Sequence, residues 1–252
     1  MSNPIQLIIL AAGKGTRMKS LRPKVLTPLC GKPIIQYLLD NVKQSLLKLK
    51  PIIVVGYKAE EVMNYCGNEY QYVIQTEQLG TGHAVMQCEY LLKDKPLDIM
   101  VLYGDHPLID PQTINQLMNQ HIHSNVTLTM VTVTVPNFNG ILDVFYHYGR
   151  IVRNEFGKII KNIEEKDANQ SELLIRETNP SLYCFNGSWL WKSLHNVRNQ
   201  NAKKEYYLTD LVRLASESNC RISSVEVDVN VGLGVNTPEQ YKQIEEILNK
   251  QR

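Results

Sequence analysis

Hydrophobic positions in the first half of the chain fall into short solid runs separated by helical stripes. IQLIIL (5–10), PIIVVG (51–56), YQYVIQ (70–75) and IMVLY (99–103) are strand-length apolar runs that end on glycine or polar residues. Such runs predict parallel strands buried on both faces. Ile35, Leu38, Leu39, Val42 and Leu46 share one helical face, and Ala84, Val85, Cys88, Leu91 and Leu92 mark a second helix. PQTINQLMNQH (111–121) predicts a third, opened by proline. Strand and helix in alternation predict an α/β fold with a doubly wound, mostly parallel sheet.

The pattern changes beyond residue 125. VTLTMVTVTV (126–135) alternates but slips phase at Met130 and Val131, as a bulge or burial on both faces would require. GRIVRNEFGKIIKNIEE predicts a hairpin turned at 155–157, and SLYCF another short strand. Helices are expected over SWLWKSLHNV and YLTDLVRLASE, then a strand at ISSVEV and a last helix from about Pro238. No repeat or glycine-serine linker divides the chain, so residues 1–252 are expected to fold as one domain. Its first half, about 1–135, carries the parallel sheet, and additional strands and hairpins of the second half, about 136–252, close over it.

Composition narrows the function classes. With 252 residues, 21% charged, 43% hydrophobic and a net charge of +2, the chain can bury a real core and shows no basic stripe for nucleic acid. No apolar run approaches a membrane span, and the N-terminus lacks a signal core. Five scattered cysteines, Cys30, Cys66, Cys88, Cys184 and Cys220, fit no zinc spacing and predict buried, reduced thiols in a cytoplasmic protein. The helical tail KQSLLKLK is expected to be a solvated helix end. His121 and His123 lie about 200° apart on a helix and are expected at the surface.

Candidate chemistry gathers at strand ends. After the first strand come AAGKGTRMKS and LRPKVL, with Lys14, Arg17, Lys19 and Lys24. A Walker A loop would need glycine at Ile8, and a dinucleotide fingerprint would need one at Met18. What remains is a loop whose Gly13 and Gly15 free the backbone, so that amides from Ala12 to Thr16 can face an anion. Arg17 adds a planar fork and Lys14 a mobile charge. The alternative is a plain turn with solvated cations. After the third strand, YVIQTEQLGTGHAV offers Gln75 and Gln78 for a base edge, with Gly80 and Gly82 leaving room for a flat ring. Taken alone, these are equally the residues of a solvated turn. After the fourth strand, VLYGDHPLI places Asp105 as a hard-metal ligand or as the start of a turn, with His106 expected in the loop. Ligands of open parallel sheets bind outside the carboxyl ends of strands. Three such segments together make a nucleotide site the leading expectation.

In order along the chain, LAAGKGTRM, RPKVL, QTEQLGTGHAV, LYGDHPL, YGRIVR, IEEKDA, EYYLTD and GVNTPEQ resemble the nucleotidyltransferase domain of bacterial N-acetylglucosamine-1-phosphate uridyltransferases. The first two motifs are shared by sugar-nucleotide pyrophosphorylases generally; EQLGTGHA, YGRI, EEKDA and EYYLTD are more specific. The resemblance implies a Rossmann-like fold of the nucleotide-diphospho-sugar transferase type. It also implies the reaction of UTP with N-acetylglucosamine 1-phosphate to give UDP-N-acetylglucosamine, a cell-wall precursor, and pyrophosphate. By motif position, Leu10, Ala11, Ala12, Gly13, Lys14, Gly15 and Arg17 would hold the UTP phosphates, and Lys24 the reacting phosphates. Gln75, Gln78, Gly80 and Thr81 would face the uracil and ribose. Asp105 and Asn236 would ligate Mg2+. Gly149, Glu164 and Asn179 would bind the sugar, in a pocket lined by Tyr103, Glu205, Tyr207 and Thr209. Arg17, Lys24 and Asp105 would carry the catalysis.

Three departures stand out. Pro180 and Ser181 replace the family's usual Thr-Gly after the asparagine; His147 stands where a glycine is usual, after a long segment NFNGILDVFYH; and the β-helix of hexapeptide repeats that carries acetyltransferase activity in bifunctional members is absent from this sequence. The expectation is one activity, with UTP and N-acetylglucosamine 1-phosphate as partners and neither nucleic acid nor membrane. The alternatives are another sugar 1-phosphate or nucleotide, or a non-catalytic nucleotide-binding module. The chemistry suits the residues: two anions must approach, cations offset their repulsion, and a phosphate nucleophile needs no general base. No Ser-His-Asp or Cys-His set competes with that reading.

Overall fold

The computed structural model describes residues 3–18, 22–201 and 203–250; Lys19 lies outside them. In chain order the strands are β1 (Ile5–Ala11), β2 (Pro28–Leu29), β3 (Lys32–Pro33), β4 (Ile52–Val55), β5 (Gln71–Ile74), β6 (Asp98–Tyr103), β7 (Leu128–Thr134), β8 (Gly149–Arg153), β9 (Ile159–Ile163), β10 (Glu177–Asn179), β11 (Tyr183–Phe185) and β12 (Ile222–Glu226). The helices are α1 (Ile34–Gln44), α2 (Ala59–Cys66), α3 (Thr81–Met86), α4 (Glu89–Leu92), α5 (Pro111–Ser124), α6 (Gln170–Leu173), α7 (Gly187–Leu194), α8 (Asp210–Glu217) and α9 (Pro238–Lys250). All strands but the β2–β3 hairpin form one sheet, in the order β5-β4-β1-β6-β11-β7-β10-β8-β9, with β12 on β7.

Strands β1, β4, β5 and β6, formed by the four apolar runs of the first half, are parallel, as those runs predict. Along β1, Leu7 and Ile9 point into a core layer shared with α1, α2 and α5, while Ile8 and Leu10 point into the layer of α3, α7 and α8. A strand covered on both faces has no polar face to alternate, hence the unbroken run. The same reason explains the phase slip in β7. Met130 and Val131 are both fully buried but belong to opposite layers, and β12 pairs with β7 in register from Leu128 to Thr132. Asp110 caps α5 by accepting from the Thr113 N–H at 2.7 Å, with Pro111 in the first turn.

The second half does not simply close over the sheet. Its strands enter it: β11 lies antiparallel between β6 and β7, and β12 lies parallel against β7. The expected hairpin is β8–β9, turned where Gly157 adopts φ +73°. Between β7 and that hairpin sits β10, antiparallel to both β7 and β8. The single helix expected to carry Ala84 through Leu92 is broken into α3 and α4, and Leu46, beyond the end of α1, is 51% exposed. A further apolar cluster, including Leu29, Val133, Phe145, Val235 and Ile244, packs α9 against the end of β7.

His121 is not a surface residue. It is 2% exposed, with Nε2 3.6 Å from Asp98 Oδ2 and Nδ1 3.0 Å from Thr129 Oγ1. It continues the buried stripe of Ile114 and Leu117, and Asp98 and Thr129 supply the polar partners that permit burial. Among the described residues the cysteines form no disulfide; Cys88 and Cys184 are buried, whereas Cys30, Cys66 and Cys220 are only partly covered. Burial pushes the Cys88 thiol up to about 12. No described helix is long and apolar enough to cross a membrane.

Candidate active site

A cleft of about 800 Å³ opens at the carboxyl ends of β1 and β6. Its floor at one end is the loop after β1. Gly15 adopts φ +64°, and a Cβ there would stand 2.6 Å from Lys24 Cβ, so the loop can cross Lys24 only as glycine. Lys24 begins a short 3-10 turn behind Pro23, anchored by buried Val25. That anchoring directs its ammonium into the cleft. Gly13 has nothing within 4 Å of a Cβ position, leaving its backbone open to close approach. Arg17 follows in a second 3-10 turn, fixed by the Met18 N–H donating to Gly15 O at 2.9 Å. Lys14 Nζ lies 5.5 Å from the Tyr57 ring centroid.

Four charged or polar groups converge at this end. The Lys24 ammonium donates to Asp105 Oδ2 and, at 2.9 Å, to Asn236 Oδ1. Arg17 Nη2 donates to the same Asn236 oxygen at 3.3 Å. Burial would raise the Asp105 carboxyl, but the charge and hydrogen bond of Lys24, helped by His106, hold it below its usual range. Two hard oxygens around one cationic centre suit a divalent ion that leaves positions for phosphate oxygens. Among the described residues no group of three or more His, Cys, Asp or Glu could hold a metal, so such an ion would need oxygens from the bound phosphates. His106 lies in the loop, as expected, but is buried there, 6% exposed behind Asp105, and burial lowers its imidazole from the ordinary value.

The middle of the cleft is made by two segments locked together. The Gly82 N–H donates to Tyr206 O at 2.8 Å, the Tyr206 N–H to Leu79 O at 2.8 Å, and the Leu208 N–H to Thr81 Oγ1 at 3.0 Å. A Cβ on Gly80 would meet Tyr206 O at 2.6 Å. The motifs EQLGTGHA and EYYLTD are therefore one structural unit. Gln75 is buried, with Nε2 donating to Gly80 O at 3.1 Å and 3.0 Å from His83 Nδ1, while Gln78 Nε2 donates to Gln75 O at 3.1 Å.

The far end is built around Glu164. Its Oε1 accepts from Thr209 Oγ1 at 2.9 Å and from Asn162 Nδ2 at 3.3 Å. Burial raises its carboxyl above the usual value, against those two bonds. Asn162 Oδ1 in turn accepts from Asn179 Nδ2 at 3.0 Å, and Asn179 Nδ2 also donates to Tyr183 Oη at 2.5 Å. A Cβ on Gly149 would lie 2.5 Å from Asn162 Oδ1. Ser181, where glycine is usual, takes φ +66° and donates its N–H to Asn179 Oδ1 at 2.8 Å. The backbone geometry a glycine would supply is kept without the glycine. His147 lies on the rim, 3.3 Å from Glu165 Oε2. The long segment before it wraps Arg150, which is fully buried, donates to the carbonyls of Phe145, Tyr146 and Tyr148, and stacks 4.7 Å from the Phe138 ring centroid.

All twelve residues expected to hold the nucleotide line this cleft, as do Tyr103, Glu164, Glu205, Tyr207, Asp105 and Asn236. Gly149, Asn179 and Thr209 do not; they stand one layer back, holding Asn162 and Glu164. Sequence reasoning missed Asn162, Lys166 and Lys203. Asn162 was findable, because it sits two residues before Glu164 at the end of a strand.

A family model described as a MobA-like NTP transferase domain matches residues 7–178. The bifunctional protein GlmU of Brevibacillus brevis is 40% identical over 247 residues, covering 98% of this chain and 52% of its own. The protein of that name from Latilactobacillus sakei is 39% identical over 247 residues, covering 96% and 51%. The chain thus spans about half the length of the curated relatives it matches. A solved UDP-glucose pyrophosphorylase complexed with UDP-glucose superposes with a TM-score of 0.78 at 18% identity, over 99% of this chain and 100% of that one. A CMP:2-keto-3-deoxy-manno-octonic acid synthetase complexed with CTP gives 0.72 at 14%, over 99% and 100%. These likenesses show a shared Rossmann-like fold.

Proposed function

This chain belongs to the MobA-like NTP transferase family, and we propose that it joins UTP to N-acetylglucosamine 1-phosphate, releasing pyrophosphate and UDP-N-acetylglucosamine. One observation carries the reading: a single cleft has a cationic end, where Lys24 bonds both Asp105 and Asn236, and a far end of amides around the half-buried Glu164. The first suits a triphosphate, and the second an uncharged ring rich in hydroxyls and bearing an amide. Likeness to the bifunctional relatives over nearly the whole chain supports it.

A sugar phosphate oxygen attacks the α-phosphorus of UTP, a new P–O bond forms, and the bond to the β-phosphate breaks. The sugar C1–O bond is untouched, so the anomeric configuration is retained. Lys14, Arg17 and Lys24 offset the repulsion between the two anions and stabilise charge moving onto pyrophosphate. The cleft's walls hold the reactants in line, and the attacking phosphate is already ionised. Asp105 and Asn236 would hold Mg2+, which supplies further positive charge to the phosphate oxygens when bound. Gln75 and Gln78 face the base, and Thr81 and Gly80 the ribose. Glu164 accepts from a sugar hydroxyl.

A second reading, the same transfer to a different sugar 1-phosphate, is favoured by His147 on the rim in place of a glycine. Ser181 speaks against it, because Asn179 is held as a glycine turn would hold it. The deciding assay supplies Mg2+ with each of four nucleoside triphosphates and a panel of hexose 1-phosphates and follows pyrophosphate. UTP with N-acetylglucosamine 1-phosphate is expected to be fastest. Preference for another acceptor moves the conclusion to the second reading, and no release above a protein-free control overturns both.

A further inference from the structure

His106 sits where the two arms of the candidate metal pair meet. Its Nε2 lies 3.8 Å from Asp105 Oδ1, whereas Lys24 takes the other carboxylate oxygen, Oδ2. The same nitrogen faces Gly234, where a Cβ would stand 2.6 Å from Nε2 and 2.8 Å from Cδ2. Gly234 lies two residues before Asn236, and between them the Val235 N–H donates to Asp105 O at 2.9 Å. The imidazole therefore fills the space between the chain segment carrying Asp105 and the one carrying Asn236. Gly234 has no left-handed backbone to explain it; room for the ring does. The other ring nitrogen, Nδ1, is buried with no hydrogen-bond partner in the protein. A leucine would fill much of the same volume without leaving that atom unsatisfied. Packing alone thus gives no reason for histidine, while a nitrogen beside Asp105 Oδ1 does.

We propose that His106 is a positioning residue of the divalent-cation site. Its ring sets the separation of Asp105 from Asn236, and its Nε2 edge, in electrostatic reach of Oδ1 at 3.8 Å, favours the carboxylate orientation that keeps Oδ2 turned toward Asn236. The inference rests on reading Asp105 and Asn236 as the metal pair. Groups in this outer position, which orient a ligating carboxylate, typically change metal affinity about 10–100-fold when removed.

The test uses Mn2+ as the probe, with UTP present and no acceptor, and reads unbound Mn2+ by electron paramagnetic resonance. Wild type is compared with His106→Ala, His106→Gln, Gly234→Ala, the double variant His106→Ala with Gly234→Ala, and Asp105→Asn. Thermal melts monitor folding throughout. His106→Ala is expected to weaken Mn2+ binding about 10–100-fold, and His106→Gln, whose amide nitrogen reaches the position of Nε2, to recover most of it. Gly234→Ala is expected to weaken binding in the wild-type background and to have little further effect once the ring is gone. Mn2+ binding by folded His106→Ala within about twofold of wild type overturns the proposal. So does a Gly234→Ala effect of equal size in both backgrounds. If Asp105→Asn binds Mn2+ as wild type does, the metal pair itself is wrong, a failure distinct from the other two.

Discussion

Lys24→Met isolates the electrostatics at the foot of the cleft, because it keeps most of the side chain's volume and removes its charge. The Lys24 and Asp105 side chains are only 12% and 11% exposed, so the lost charge cannot be replaced by bulk water. Removing one partner of a buried pair leaves the other uncompensated and typically costs about 3–5 kcal/mol. For a chain of this size each kcal/mol moves the melting temperature by roughly 2–4 °C, so the variant should melt about 6–20 °C below wild type in metal-free buffer. Two controls fix the cause. Asp105→Asn in the same background should restore much of the loss, because the stranded carboxylate is gone. Mg2+ should raise the melting temperature of Lys24→Met more than that of wild type, since the ammonium and a divalent ion compete for the same two oxygens. The assay is differential scanning fluorimetry with and without Mg2+. A melting temperature within about 2 °C of wild type without metal would refute the buried-pair reasoning.

Gly149→Ala should raise KM for the sugar phosphate about 10–100-fold and leave KM for UTP unchanged. Its Cβ displaces Asn162, 2.5 Å away, from Glu164 and Asn179, a loss of one or two hydrogen bonds; steady-state kinetics with each substrate varied would show the split, and equal changes in both constants would sink it. Ser181→Gly should stabilise the protein by about 1 kcal/mol in urea unfolding, because Ser181 holds φ +66° against the preference of an L residue. Burial opposes ionisation of Asp98, but bonds from His121, Asn3 and the Gly187 N–H hold its carboxyl below the ordinary 3.8. Its contribution is therefore present above that value and lost as pH falls through the folded one. The stability gap between wild type and Asp98→Asn should be wide at pH 7 and shrink toward pH 3, and a gap that stays constant with pH would contradict the assignment.

How much of this was legible in the sequence follows from where each partner sits. The cationic end of the cleft was legible because its glycines and cations lie within thirteen residues after β1, and charge beside a glycine turn is a local signal. Strands β1, β4 and β6 were legible because burial on both faces leaves a solid apolar run; β5, at the sheet edge with Gln71 and Ile74 exposed, is not buried that way. The insertion of β11 between β6 and β7 was not, since nothing inside Tyr183–Phe185 specifies which strands accept it. His121 was misread, and the burial of His106 and Arg150 was not foreseen, for one shared reason. A histidine's polarity suggests water, yet burial depends on what remote segments offer it: Asp98 and Thr129 for His121, Asp105 and the gap at Gly234 for His106. Arg150 carries the same lesson furthest. The segment before YGR looked anomalous because it was compared with a binding loop. In the fold, residues 138–148 are the solvation shell of a fully buried guanidinium, giving it three backbone carbonyls and two aromatic faces in place of water. That shell is also what carries His147 to the rim and Gly149 to Asn162. The segment before YGR is thereby tied through Arg150 to the far end of the cleft, where Asn162 meets Glu164.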